Sequence, residues 1–178
     1  MNATVANDIR GVLISVTGGK LLLPNASVAE VITYSDPEPV TDAPSWVLGR
    51  VRWRGWALPI MSYSRLVGWS QEAAALGAKV AVLKAIGGHV KMPYFAVLTQ
   101  GFPRLTTLNA ELIIPTHDGS ALPPGVRAHV LVRDDVAMIP DLEWLEAELL
   151  GLLNEAELAA PTDSRASVGV PEPFEAED

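Results

Sequence analysis

The sequence predicts a mainly β protein, a barrel or sandwich of about ten short strands followed by one amphipathic helix. Three observations carry this. Runs of four to eight apolar and β-branched residues recur from Ile9 to Ile139 with turn residues between them. The punctuation is of the hairpin kind, at Gly18-Gly19, Gly55, Gly87-Gly88 and Asp134-Asp135, with Pro37, Pro39 and Pro44 in a loop where no ladder hydrogen bond is donated. Helical periodicity stands out at Leu142, Leu145, Leu149 and Leu152, spaced three, four and three apart.

Taken in order, Gly11–Thr17 is a β-branched strand that turns at Gly18-Gly19 into Lys20–Leu23. Ser27–Tyr34 follows, then the Asp/Pro/Glu loop. Val47–Arg54 and Trp56–Ile60 flank Gly55, and Lys79–Ile86 and Tyr94–Thr99 flank Gly87-Gly88. Arg104–Leu108, Val126–Arg133 and Val136–Ile139 complete the set. The helix carries Asp141, Glu143 and Glu146 on its first turns, where the helix dipole favours negative charge.

Composition bounds the function. The chain has 178 residues, enough for one domain or two small units sharing a core. Apolar residues make up 49%, yet Lys79 and Lys84 interrupt the richest stretch, and no run approaches the roughly 20 residues that span a bilayer. The N-terminus, with Asp8 beside Arg10, lacks an apolar signal-peptide region, so membrane insertion and export are not expected and a cytoplasmic location is. The absence of cysteine removes disulfides, thiol catalysis and Cys-based metal sites. Net charge is −8, and Asp163, Glu172, Glu175, Glu177 and Asp178 against Arg165 place −4 of it on residues 159–178. No basic stripe exists for a phosphate backbone, so nucleic acid is not an expected partner. Residues 1–8 read as loose, 9–158 as the folded body, and 159–178 as a disordered acidic tail.

Site chemistry is thin. His89, His117 and His129 are isolated and make no metal spacing, and His117-Asp118-Gly119 reads as a turn. Gly18-Gly19-Lys20 continues into Leu21 without the leading glycine of a phosphate loop, and no nucleophile elbow or carboxylate pair stands out. Neither an enzyme nor a cofactor or metal site is expected.

Interaction features are better represented. Trp46, Trp53, Trp56 and Trp69 fall close together, and tryptophan serves both cores and binding hot spots. Strand alternation puts Arg50, Arg52 and Arg54 on one face and Val51 and Trp53 on the other. It also groups Val28, Glu30, Ile32 and Tyr34 against Ala29, Val31 and Thr33. The first group is either an exposed interface face around one carboxylate, or a core face on which Glu30 needs a cation. Arg54 is the expected partner of Glu30. A docking surface of Val28, Glu30, Tyr34, Arg52, Trp53 and Arg54 follows, with apolar anchors for burial and charges for register. The competing reading is a small-molecule-binding barrel with a deep apolar cavity lined by Trp and Tyr.

The segments LLLPNASVAEVITY, APSWVLGRVRWRG and ALPIMSYSRLVGW resemble the first half of a CheW-like domain. That family's pattern is matched by Leu23-Pro24, Val28/Glu30/Val31, Pro44, Gly49/Arg54/Gly55, Leu58-Pro59-Ile60 and Leu66/Gly68. KVAVLKAIGG, MPYFAVLTQGFPRL and AMIPDLEWLE extend the likeness and look most like the ChpC branch of chemosensory systems that govern type IV pili and twitching motility. The resemblance implies two SH3-like five-stranded barrels sharing a core, the first from about 20–71, the second from about 9–17 plus 72–158. It also implies a non-enzymatic adaptor that couples a CheA-like histidine kinase to the cytoplasmic domain of chemoreceptors, with other CheW-like proteins as further neighbours. Docking would use the first barrel and the groove between barrels. Two positions depart from the family: Arg52 stands where Asn is common, and Ser62 where an acid commonly follows the Leu-Pro-aliphatic strand.

Overall fold

A computed structural model describes residues 8–116 and 118–153. His117, the first seven residues and the expected acidic tail at 159–178 lie outside the described residues. The described chain folds into two sheets. One contains β1 (Ile9–Val16), β2 (Gly19–Pro24), β8 (Arg104–Leu108), β9 (Ile113–Pro115), β10 (Val126–Val132) and β11 (Asp135–Pro140), in the order β8-β1-β2-β11-β10-β9. The other contains β3 (Val28–Thr33), β4 (Val47–Trp53), β5 (Trp56–Met61), β6 (Lys79–Lys84) and β7 (Tyr94–Thr99), in the order β3-β6-β7-β5-β4. Two helices complete it, a single turn α1 (Tyr63–Leu66) and the expected α2 (Leu142–Leu152).

Strand pairing divides the chain differently from a break at 71. β2 returns to pair with β1, while β6 and β7 join β3–β5. The reason is burial on both faces. Val12, Ile14, Val16, Leu21 and Leu23 face one core, which they share with Ala81, Leu83, Phe95 and Val97 of the other sheet. Leu13 and Leu22 turn instead into the six-stranded sheet's own interior, with Leu108, Val130, Val132 and Ala137. Val80, Val82, Ala96 and Leu98 fill the five-stranded sheet with Val51, Trp53, Leu58 and Ile60. The runs Val12–Ile14, Leu21–Leu23, Val80–Leu83 and Phe95–Leu98 are unbroken apolar stretches because successive residues enter different cores and neither face meets water. The arrangement is two small SH3-like barrels around a shared core.

The five-stranded barrel closes where the chain after β3 reaches the edge of β4. Glu38 and Arg50 exchange both backbone hydrogen bonds, at 2.9 and 2.8 Å. Gly49 makes this possible: its φ of +138° lies outside ordinary side-chain territory, and a Cβ there would sit 2.3 Å from the Glu38 carbonyl oxygen. The β4 ladder shifts register between Val47 and Gly49, so this is a bulge at the closing seam.

Turn positions move by one residue from the sequence reading. Val16 pairs with Gly19, so the first hairpin turns at Thr17-Gly18, and Val132 pairs with Asp135, so the last turns at Arg133-Asp134. Gly18 and Gly19 answer to packing as well: a Cβ on either would come within 2.9 Å of Trp69, whose side chain lies across them. Ile113–Pro115 adds a strand that its short sequence hid.

On α2, Asp141 caps the N-terminus by accepting from the Trp144 amide. Leu145 and Leu149 enter the shared core as expected. Leu152 is 38% exposed and Leu153 is buried in its place, because the chain leaves helical geometry there with φ −101°, ψ 126°. Tyr63 of α1 is fully buried and donates to the Gly125 carbonyl at 2.9 Å. Burial, with Asp141 adding to it, pushes its phenol above the usual range.

Candidate docking surface

The β4–β5 hairpin turns through Arg54 and Gly55, both at positive φ (+47° and +82°), between the paired residues Trp53 and Trp56. This is the turn whose twist suits a two-residue hairpin. Alternation sends Trp53 inward, where it is 9% exposed, and leaves Arg52 exposed. Alternation ends at the left-handed residue. The Arg54 guanidinium lies 5.0 Å from the centre of the Trp53 ring, a cation–π contact.

Glu30 joins these groups. Its Oε2 accepts from the Trp53 indole Nε1–H at 2.7 Å and meets Arg54 Nη2 at 3.1 Å. The expected Glu30–Arg54 pair is therefore present. Arg54 is 70% exposed and Glu30 38%, so their attraction contributes below about 1 kcal/mol to stability. Trp53 also meets Tyr94 edge to face, with centroids 4.8 Å apart. Tyr94 is paired in register with Lys84. Sequence reasoning missed both; an aromatic at the first position of a strand gives no signal of what it will touch.

β3 resolves the two readings of its face. A register shift between Val28 and Glu30 breaks the alternation. Val28 then packs on the shared core, while Ile32 and Tyr34 pack on the interior of the five-stranded barrel. The face is core, and Glu30 is the half-buried carboxylate with its cation. Val28 and Tyr34 are half-buried packing residues and do not gather beside Glu30, Trp53 and Arg54 as exposed anchors. Burial, reinforced by Asp36, holds the Tyr34 phenol above its ordinary value. Of the three arginines, Arg50 pairs with Glu38 at 3.3 Å and Arg54 with Glu30, whereas Arg52 makes no ion pair among the described residues.

A polar cluster joins the two sheets at the other ends of β5 and β7. Glu72 is 1% exposed and accepts from the Thr17 amide (2.6 Å), Ser62 Oγ (2.7 Å) and Gln100 Nε2 (3.0 Å). Thr17 follows β1, and Ser62 and Gln100 follow β5 and β7 of the other sheet. Ser62 also caps α1 by accepting from the Arg65 amide. The Ser62 hydroxyl thus binds an acid supplied ten residues later in the chain.

The barrel interiors are packed with side chains, and among the described residues three clefts of about 330 to 460 Å³ are lined by Tyr34 and Arg65, by Leu13 and Arg104, and by Lys20 and Trp69. Among the described residues no group of three or more His, Asp or Glu could hold a metal, and no helix is long and apolar enough to cross a membrane. His89 is exposed on a loop and His129 is half-buried in β10.

Paired small barrels with filled cores define the β domain, and the surface at its β4–β5 turn is knit from aromatic rings and an ion pair. Residues 10–148 match the CheW-like domain, and the chain belongs to that family of chemotaxis scaffolding and adaptor proteins. Among solved structures, it is similar to the scaffolding protein TtCheW from Thermoanaerobacter tengcongensis. The TM-score is 0.64 at 13% identity, over 80% of this chain and 90% of that one, a likeness of fold. No curated protein matches the sequence significantly.

Proposed function

We propose that the protein is a non-enzymatic cytoplasmic adaptor that couples a CheA-like histidine kinase to the cytoplasmic domain of chemoreceptors, with other CheW-like proteins as neighbours in the same assembly. We further assign it to the ChpC branch, serving type IV pili and twitching motility, on the likeness of its second half. The observation that carries the adaptor reading is the family match over 10–148, joined to the exposed Arg52–Gly55 turn with its Glu30, Trp53 and Arg54 cluster. Arg52, exposed and without an ion pair among the described residues, is the group placed to meet a partner's acid; Glu30, Trp53 and Arg54 fix the turn that presents it. Val28, on the shared core, and Tyr34, on the interior of the five-stranded barrel, stay outside this contact as packing residues.

The test is a paired measurement on Arg52→Glu and Glu30→Arg. Circular dichroism and melting report the fold, and calorimetry against the purified kinase from the same cell reports binding. Loss of tenfold or more in affinity by Arg52→Glu, about 1.4 kcal/mol, with melting unchanged, supports the assignment. Two folded variants that bind like the parent move the docking surface to the groove between the barrels.

A further inference from the structure

The β6–β7 connection is a loop fixed by a buried acid. Glu146 of α2 is 4% exposed, and its two carboxylate oxygens accept from the successive amides of Ile86 and Gly87, the latter at 2.7 Å. Gly87 permits this approach, since a Cβ there would lie 2.7 Å from Glu146 Oε2. The rest of the loop is pinned as well. Ala85 donates to the Pro93 carbonyl at 2.9 Å, Met92 donates to the His89 carbonyl at 3.1 Å, and the Met92 side chain is buried at 2%. Burying a carboxylate is costly and is offset by charge-assisted amide bonds.

What this anchoring holds out to solvent is apolar and basic. Ile86 is 55% and Val90 83% exposed, and Lys84 and Lys91 are exposed at either end of the loop. A fixed loop with exposed aliphatics between lysines is pre-organised for an acidic, apolar segment. The chain contains one. Glu172, Glu175, Glu177 and Asp178 surround Phe174. That segment is also tethered by the helix that supplies Glu146: seven residues separate Glu146 from Leu153, about 10 Å of helix rise. A random coil as long as the 20 residues between Leu153 and Phe174 spans roughly 25 Å and gives a millimolar effective concentration, so weak contacts suffice.

We propose that the acidic segment around Phe174 folds back on the β6–β7 loop, with Phe174 against Ile86 and Val90 and its carboxylates toward Lys84 and Lys91. Lys84 is paired with Tyr94, which touches Trp53, so the seated segment borders the Arg52–Gly55 turn. The contact itself does not depend on the adaptor reading.

The native absence of cysteine makes the test clean, because Ala176→Cys introduces a unique thiol into the full chain. A nitroxide attached there broadens the amide signals of nearby residues in nuclear magnetic resonance spectra. The expected result is selective broadening of the Ile86–Lys91 amides. It should be lost in Lys84→Glu/Lys91→Glu and in about 1 M salt, where the Debye length falls to about 3 Å. Phe174→Ser should weaken it while leaving the spectrum of the body unchanged. Three results overturn the proposal: no selective broadening, broadening centred on the Trp53–Gly55 amides, or broadening in mixtures of labelled and isotope-enriched chains, which places the segment on a neighbouring copy.

Discussion

Replacing Glu72 tests the idea that one carboxylate holds the two sheets in register. In Glu72→Ala, the Thr17 amide and the Ser62 hydroxyl both lose their acceptor in a region where Glu72 itself is 1% exposed. Gln100 retains a bond to the Ala73 carbonyl at 3.2 Å and loses less. Hydrogen bonds to a charged group contribute about 1.5–3 kcal/mol each, so two lost bonds cost roughly 3–6 kcal/mol. At about 2–4 °C per kcal/mol for a domain of this size, Tm falls on the order of 10 °C. Glu72→Gln keeps the shape and one acceptor oxygen while turning an NH₂ toward the other donor. It should lose about half as much, roughly 1.5–3 kcal/mol. Urea denaturation of the three proteins measures both differences, with equal m-values required for the comparison. Hydrogen exchange at the Thr17 amide gives a local readout, and its protection should collapse in the alanine variant. A loss below about 1 kcal/mol in Glu72→Ala would refute the assignment of these bonds as a structural link. Equal losses in the two variants would show that shape, not acceptor count, matters there.

Asp135 receives Lys20 and Arg104 together, and the hydrogen bond from Lys20 is the first cause that holds its carboxyl below the ordinary value. A folded-state value below the unfolded one contributes stability that is present above the unfolded pKa and is lost as pH falls through the folded one. Melting curves between neutral pH and about pH 2 should therefore show an acid-side loss that Asp135→Asn flattens; an unchanged profile would sink the claim. Gly49→Ala places a methyl 2.3 Å from the Glu38 oxygen at a positive φ, so it should open the closing seam and cost about 3 kcal/mol or more in urea denaturation. A loss under about 1 kcal/mol would mean that the bulge is compliant.

The hydrophobic pattern by itself determined a good deal here. Period-two runs and turn residues are local properties, and they located ten of the eleven strands among the described residues, and the helical spacing of leucines located α2. The Glu30–Arg54 pair was also legible, because a lone carboxylate in an apolar strand needs a cation and an arginine stripe needs an acid. Tertiary structure decided the rest. Which strands share a sheet cannot be read from runs such as VAVL or LLL, since residues buried on both faces lose the alternation that assigns a face. A bulge at Val28/Glu30 turned Val28 to the shared core and set Glu30 against Trp53, and no local propensity marks it. Glu146 shows the limit most directly. Its place on the second turn of α2 suggested a residue for the helix dipole, yet the loop amides packed against that helix give it a different role. A side chain's charge is fixed by its chemistry, but what it neutralises depends on which backbone donors the fold brings within about 3 Å of it.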